Sequence, residues 1–342
     1  MKELRHLLLG LIFLCMVQET VAQQQAETEV VEDFASPNVR GMGRGRGIVI
    51  GYERLPNFDI DSESDDPSVG NGSGRVHRHN KFNWRVFAPV VNKPQTKVIV
   101  GVDYQLEEFN FGNLDPASYP LYRYLEDKNL RSFGLQVAFL RSLDERRFYL
   151  VRLSGDLNGD YTRDDINVSD YLKVNVDVAY GWKRSPDFAL GVGLQLGYTF
   201  GRQRVYPGIL YNRTFNDKWG VESIFPANAR LRYNLNEKTL LYGGYRLEGS
   251  SYNMFVDETP LSRFGDLELR RTDIKGLLRL EREIYDFAWF AVEGGFRQYY
   301  RHRIFDEIGS RDPLIINDLA GAGYVNVELF FVAPRKWVSK DR

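Results

Sequence analysis

From Leu172 to Trp182 the even positions are Leu172, Val174, Val176, Val178, Tyr180 and Trp182, and the odd ones are Lys173, Asn175, Asp177, Ala179 and Gly181. After Lys183 to Asp187 the alternation resumes, with Phe188, Leu190, Val192, Leu194, Leu196, Tyr198 and Phe200 set against Ala189, Gly191, Gly193, Gln195, Gly197 and Thr199. Successive side chains leave an extended strand on opposite faces, so a period of two predicts a hairpin. One of its faces is continuously apolar, with aromatics near its ends; the other is small, polar or charged. A soluble sandwich would bury that apolar face on a second sheet, whereas a membrane barrel turns it to lipid and keeps the polar face inside.

The same alternation recurs along the chain. It runs through Phe82 to Val90, Val98 to Glu107, Phe133 to Phe139, Tyr149 to Ser154, Asp273 to Glu281, Phe290 to Arg301 and Val325 to Phe331. Arms of roughly ten residues suit strands tilted across a bilayer. Short turns, such as Asn92 to Gln95 and Glu283 to Asp286, alternate with longer polar loops at Asn57 to Asn80, Asn110 to Asn129, Gly155 to Asp170, Tyr252 to Asp266 and Arg303 to Asp318. Short connections on one rim and long ones on the other are the asymmetry of outer-membrane barrels. The rims stay consistent only if the chain reverses near Phe225-Pro226-Ala227-Asn228, where Pro226 has no N–H to give a ladder. The expectation is an all-β fold: a single antiparallel transmembrane β-barrel over 47–334, of about 14 strands with 12 as the alternative.

Composition narrows this further. Lys and Arg number 45 against 46 Asp and Glu, so no nucleic-acid partner is expected. Aromatics are 14%, glycines number 31, and mean hydropathy is -0.39, which argues against helical membrane spans and suits half-apolar strands. Cys15 is the one cysteine, so the rest of the chain has neither disulfides nor thiolate metal sites. Residues 1–22 read as a secretory signal: Lys2 and Arg5, an apolar run from Leu7 to Val17, and Thr20-Val21-Ala22 before Gln23. Residues 23–46 read as a flexible periplasmic lead-in, acidic first and then rich in Gly and Arg, and 335–342 as a C-terminal tail.

The chain resembles uncharacterised outer-membrane β-barrel proteins of Bacteroidetes-type bacteria. The resemblance is carried by Pro207-Gly208-Ile209-Leu210-Tyr211-Asn212, the turn Asn216-Asp217-Lys218-Trp219, Phe225-Pro226, and the closing Phe330-Phe331-Val332-Ala333-Pro334-Arg335-Lys336. These motifs are architectural. They imply residence in the outer membrane with its lipid and the barrel-assembly machinery as partners, and they name no activity. Nine residues, Pro334 to Arg342, follow the aromatic end of the last arm where many such barrels stop.

Candidate chemistry lies in three places. Asp156, Asn158, Asp160, Thr162 and Asp164 alternate like the start of a calcium loop, but Tyr161 and Asn167 stand where that loop needs Gly and Glu, which favours a solvated loop. Asp59, Asp61, Glu63, Asp65 and Asp66 read as a charged surface. His77, His79 and His302 fall toward the long-loop rim, yet no Ser sits in a nucleophile-elbow pattern, so neither enzyme, metal site nor cofactor is expected. The polar face offers the lumen-lining candidates: Arg85, Asp103, Glu107, Arg152, Lys173, Asp177, Arg230, Arg232, Lys275, Arg279, Glu293, Arg297 and Glu328, with Asp273, Glu281 and Arg301 beside them. Such charges either pair into a plugged interior or line a water-filled eyelet. Two functions stay open: a non-enzymatic structural or interaction component, and a small passive channel for polar solutes. A hydrolase is a distant third.

Overall fold

The computed structural model describes residues 34–112, 114–115, 117–162, 167–198, 200–257 and 259–338. The expected signal segment lies outside them. Fifteen strands form one sheet. They are β1 (Arg46–Glu63), β2 (Gly72–Asn92), β3 (Thr96–Asn110), β4 (Leu130–Ser142), β5 (Arg147–Gly159), β6 (Leu172–Ser185), β7 (Phe188–Gly197), β8 (Arg204–Thr214), β9 (Trp219–Phe225), β10 (Asn228–Asn236), β11 (Thr239–Phe255), β12 (Asp266–Tyr285), β13 (Ala288–Phe305), β14 (Ile315–Leu319) and β15 (Ala322–Val332).

Each strand from β1 to β13 pairs antiparallel with the next. The last two, β14 and β15, both lie between β13 and β1. They are upper and lower parts of one stave, since β14 faces Ile60 to Glu63 and β15 faces Arg46 to Arg54 of β1. The result is a closed antiparallel barrel of 14 staves, which leaves no free edge at the seam between the first and last. The reversal expected near Pro226 is the β9–β10 turn, between Phe225 and Asn228.

The barrel is inside-out relative to a water-soluble core. Leu278 on its outer surface is 73% exposed, while Arg297 on the inner face of the neighbouring strand is fully buried. Val192, Leu194, Leu196, Val325, Val327 and Leu329 are also exposed, as the alternation predicts. Near the short-turn rim, aromatic pairs recur around the circumference: Phe139 with Tyr149, Tyr180 with Trp182, Phe188 with Tyr211, Trp219 with Tyr233, and Phe287 with Phe331. No described helix is long and apolar enough to cross a membrane.

Two expectations change. Much of the predicted long loops is strand: β1 continues to Glu63 and β2 begins at Gly72, so residues 57–80 are mostly a tall hairpin. The cause is that period two resumes after a one-residue slip at Pro56–Asn57, with Phe58, Ile60 and Val76 buried and Asp59, Asp61 and Glu63 exposed. The acidic run is thus the outer face of a strand. The described part of the stretch expected as a flexible lead-in, residues 34–45, is pinned along the short-turn rim. Its carbonyls accept from Ser142 (Ala35, 2.7 Å), Asn212 (Pro37, 2.8 Å), Arg232 (Arg40, 3.0 Å) and Asn234 (Gly41, 3.1 Å).

Candidate functional site

The barrel interior is filled at three levels. At the long-loop end, the β3–β4 connection carries helix α1 (Pro120–Asp127), which Pro120 starts without the loss of a helical donor. Leu121, Tyr122, Tyr124 and Leu125 fall on one side of it and are buried. They join Leu55, Phe58, Ile60, Leu130, Leu267 and Ile304 from the walls in one apolar cluster. So short a helix depends on this packing. Tyr122 donates to Gly72 O at 2.9 Å and contacts Ser62 Oγ at 2.8 Å, and burial pushes its phenol up to about 12. Tyr124 hydrogen-bonds Asp160, and burial together with that carboxylate raises its phenol further.

In the middle lies a continuous ion network. Lys275 Nζ is 2.8 and 2.7 Å from the two Glu53 oxygens and 2.8 Å from Glu248. Arg297 contacts Asp273 at 2.7 Å and Glu53 at 3.8 Å. Arg246 bridges Glu248 at 2.8 Å and Glu293 at 2.9 Å, and Arg279 joins Glu293 at 3.3 Å to Glu281 at 2.7 Å. Arg279 also pairs with Glu328, which reaches Arg46 at 3.2 Å and Arg85 at 3.6 Å. Toward the cap, Glu107 pairs with Arg271, contacts His79 at 3.0 Å and accepts from Tyr252 at 2.8 Å. Most of these groups are buried, and desolvated charges are tolerable only when paired and hydrogen-bonded in this way.

At the short-turn end, Val49, Leu240, Tyr242, Trp289, Ala291, Phe330 and Val332 form a second apolar cluster on the inner face. The 34–45 strap follows the rim beside it, from the β4–β5 turn past β6, β8 and β10 to the β12–β13 turn. There Arg44 meets Asp286 at 3.3 Å and Glu283 at 3.5 Å. Nearby is a single helical turn, Arg335–Val338, where Arg335 contacts Glu283 at 2.6 Å and Asp286 at 2.7 Å. Residues 339–342 of the expected tail lie outside the described residues.

What stays open is a cavity of about 490 Å³ against the β3–β6 wall. Asp103, Gln136, Ser154, Asp156, Asn158 and Asn175 border it, with Arg85, Arg152 and Lys173. Gly134 lies between Asp103 and Asp156 in the ladder, and a side chain there would collide with both carboxylates.

The thirteen candidate residues therefore separate. Glu107, Lys275, Arg279, Glu293, Arg297 and Glu328 belong to the network. Arg85, Asp103, Arg152 and Lys173 border the cavity, as do Lys275 and Glu328 of the network, with Arg152 bonded to Asp177 at 2.6 Å. Arg230 and Arg232 form a separate group around Glu222, at 2.8 and 3.2 Å. Sequence reasoning passed over Glu53, Lys81, Arg246, Glu248, Glu268 and Arg271. The alternation around Glu53 in β1 and that of Arg246 and Glu248 in β11 were the available signals.

The other candidates resolve individually. Asp156 and Asn158 leave strand β5 rather than a loop, and Asp160 accepts from Tyr124 and from Phe255 N. Asp164 lies outside the described residues. His79 and His302 are buried rather than on the rim; His302 Nδ1 lies 3.0 Å from Asn317, whose Oδ1 accepts from Ser62 at 2.5 Å. Ser62 thus meets Asn317 and Tyr122 and lies buried. Among the described residues no cluster of three or more His, Cys, Asp or Glu could hold a metal ion.

A family profile described as a domain of unknown function, DUF6268, matches residues 107–326. The chain belongs to this family. No curated protein matches the DUF6268 chain significantly. Among solved structures it is similar to the COG4313 outer membrane channel from Pseudomonas putida F1, at 11% identity over 90% of this chain and 100% of that one, with a TM-score of 0.43. It is also similar to the KdgM porin, at 8% identity over 81% and 99% with a TM-score of 0.31. A third likeness is to outer membrane phospholipase A from Escherichia coli, at 9% identity over 81% and 98% with a TM-score of 0.33. None is near enough to carry an argument about activity.

Proposed function

We propose that this DUF6268 barrel resides in the bacterial outer membrane as a non-enzymatic structural or interaction component whose interior is packed shut. The exposed apolar belt and the aromatic pairs at one rim support the membrane placement, because a surface of that extent is stable against hydrocarbon and not against water. The short turns and both described termini then face the periplasm, and the cap and tall hairpins face outward.

The observation that carries the plugged reading is the burial of the inner-face charges: Arg232, Arg297, Lys275, Glu107 and Glu293 are all at 0% exposure. In a water-filled eyelet such groups would be wet. The non-enzymatic reading draws support from His302 and Ser62, which are buried and are each hydrogen-bonded to Asn317, with Ser62 also against Tyr122 of α1. The passive-channel reading rests on the 490 Å³ cavity, which would need both the cap and the network to part.

Fractionation with liposome swelling tests the proposal. Membrane residence predicts that the mature chain sediments with outer membranes and needs detergent to dissolve; the plug predicts that sugar-loaded liposomes stay unswollen. A monomeric, folded chain in detergent-free buffer would defeat the placement, and rapid swelling would defeat the plug.

A further inference from the structure

A bulge turns two arginines out of the barrel. On β13, Glu293, Arg297 and Tyr299 face inward on odd positions, while Val292, Phe296 and Tyr300 face outward and are exposed. The register with β12 then slips by one residue, for Asp273 pairs with Tyr299 but Thr272 with Arg301. The extra residue, Tyr300, reverses the parity above it, because a bulge leaves one residue without a ladder partner. His302 and Ile304 are therefore buried, and Arg301, expected from spacing beside the lumen, joins Arg303 on the outer face.

Two further arginines arrive from another part of the chain. The turn after β7 lies against β12, where Thr272 Oγ1 donates to Phe200 O at 3.0 Å and a Cβ on Gly201 would lie 2.5 Å from Arg271 O. Thr272 pairs with Arg301 and Arg270 with Arg303, so Arg202, next along that turn, is set beside both. Tyr206 holds the start of β8 to the same turn, donating to Arg202 O at 2.8 Å with its ring 4.8 Å from that of Phe200, and so brings up Arg204. Burial, and then the charges of Arg301, Arg270, Arg204 and Arg303, hold the Arg202 guanidinium below its ordinary value.

The arginines of the lumen network each meet a carboxylate, but these do not. None of Arg202, Arg204, Arg301 and Arg303 has an ion pair or a hydrogen-bonded side-chain partner among the described residues, and Arg202 Nε is buried without an acceptor. Arg270 is committed to Glu268 at 2.5 Å and to Ser310 O at 2.6 Å, and Glu268 is shared with Lys173. The acidic outer edge of β1 lies beyond β14, since Arg303 pairs with Ile316 and Ile316 with Glu63. Four like charges gathered in this way repel one another until an anion completes the set. Their height is fixed by the apolar belt: Phe290 to Tyr300 on β13 is the length that crosses a bilayer core, and on β8 the exposed Val205 directly follows Arg204. The guanidiniums thus stand where hydrocarbon gives way to head groups at the long-loop end.

Resting on the membrane placement above, we propose that Arg202, Arg204, Arg301 and Arg303 seat the phosphate monoesters of an outer-leaflet lipid, whose acyl chains lie against Tyr300, Phe296 and Val205. A planar guanidinium bonds two phosphate oxygens at once, and basic clusters beside a bilayer draw anionic head groups. A monoester carries about −1.5 to −2 charges at neutral pH, where a phosphodiester carries one. Four unpaired cations are therefore better matched by a monoester lipid than by phosphatidylglycerol.

Lipid titration tests this. The mature chain in dodecyl maltoside is titrated with diphosphoryl lipid A, and the lipid retained is read by mass spectrometry of the intact complex. The seat predicts that dephosphorylated lipid A and phosphatidylglycerol bind about tenfold more weakly or worse, and that inorganic phosphate at equal concentration leaves the lipid bound. Arg202→Gln with Arg301→Gln should lose affinity by a similar factor and Arg204→Gln by less, while Arg184→Gln at the opposite rim should lose none. Because the lipid comparison uses the unmodified chain, a variant that fails to fold does not shield the proposal. Equal binding of the dephosphorylated lipid or of phosphatidylglycerol, displacement by inorganic phosphate, or unchanged affinity in the arginine variants overturns the seat. Flotation with phosphatidylcholine vesicles reads the membrane placement separately: a chain that floats but fails these comparisons loses only the seat, and one that does not float loses both.

Discussion

Lys275 of β12 and Glu53 of β1 bind each other across the barrel interior, with the ammonium 2.8 and 2.7 Å from the two carboxylate oxygens. Their strands are not ladder neighbours, since β13 and β15 stand between them. The pair therefore ties staves together through the lumen. Both partners are buried, and Glu248 makes the same ammonium a shared centre. Lys275→Met strands two carboxylates away from water, which costs about 3–5 kcal/mol. Denaturant unfolding of the reconstituted barrel should show that loss, and Lys275→Met with Glu53→Leu should recover part of it.

The cap makes a second prediction. Leu121 is fully buried between α1 and the walls, so Leu121→Ala should cost about 2–5 kcal/mol of local packing. Because α1 is a connection rather than a stave, the barrel should survive. Added trypsin should cleave after Arg123 or Lys128 many times faster in intact cells, while the remaining fragments stay resistant.

The strap depends on a turn that only glycine makes easily. Gly41 has φ +75°, and a Cβ there would lie 2.6 Å from Asn234 Nδ2. Gly41→Val adds about 1–2 kcal/mol of backbone strain to that collision. It should release the segment so that trypsin cuts after Arg40 from the short-turn side, with the rest of the barrel unchanged.

Acid should loosen the segment that follows β15. The backbone N–H of Arg335, and then its guanidinium, hold the Asp286 carboxyl below its ordinary value. A carboxyl depressed on folding stabilises the folded form above its unfolded value and loses that contribution as pH falls through the folded value. Docking of residues 333–338 on the β12–β13 turn should therefore be complete at neutral pH and fade at strongly acidic pH. The anisotropy of a fluorophore attached at the C-terminus, followed from neutral to acid pH, should show that dependence, and Asp286→Asn should flatten it.

The staves were legible because period two fixes which side chains leave each face, and Leu172 to Leu196 show it without interruption outside the turn. The reversal at Pro226 was legible from a missing N–H and the need to keep the rims consistent. Alternation did not reveal where a strand stops being lipid-facing. Beyond Leu55 the inner face of β1 turns from charged to apolar, and Phe58 and Ile60 continue the strand where polarity suggested a loop. The strap was hidden for another reason: its partners bind backbone carbonyls of Ala35, Pro37, Arg40 and Gly41, which leave no trace in side-chain pattern. Nor could spacing tell which lumen charges meet, since Glu53 and Lys275 lie 222 residues apart.

The central claim is that the interior is filled, and single-channel recording in planar bilayers tests it most directly. A reconstituted barrel whose network from Glu107 to Glu328 is intact should pass no steady current across a range of voltages. A stable ohmic conductance from the unmodified chain would mean that water runs through the space here assigned to paired charges, and would contradict the account.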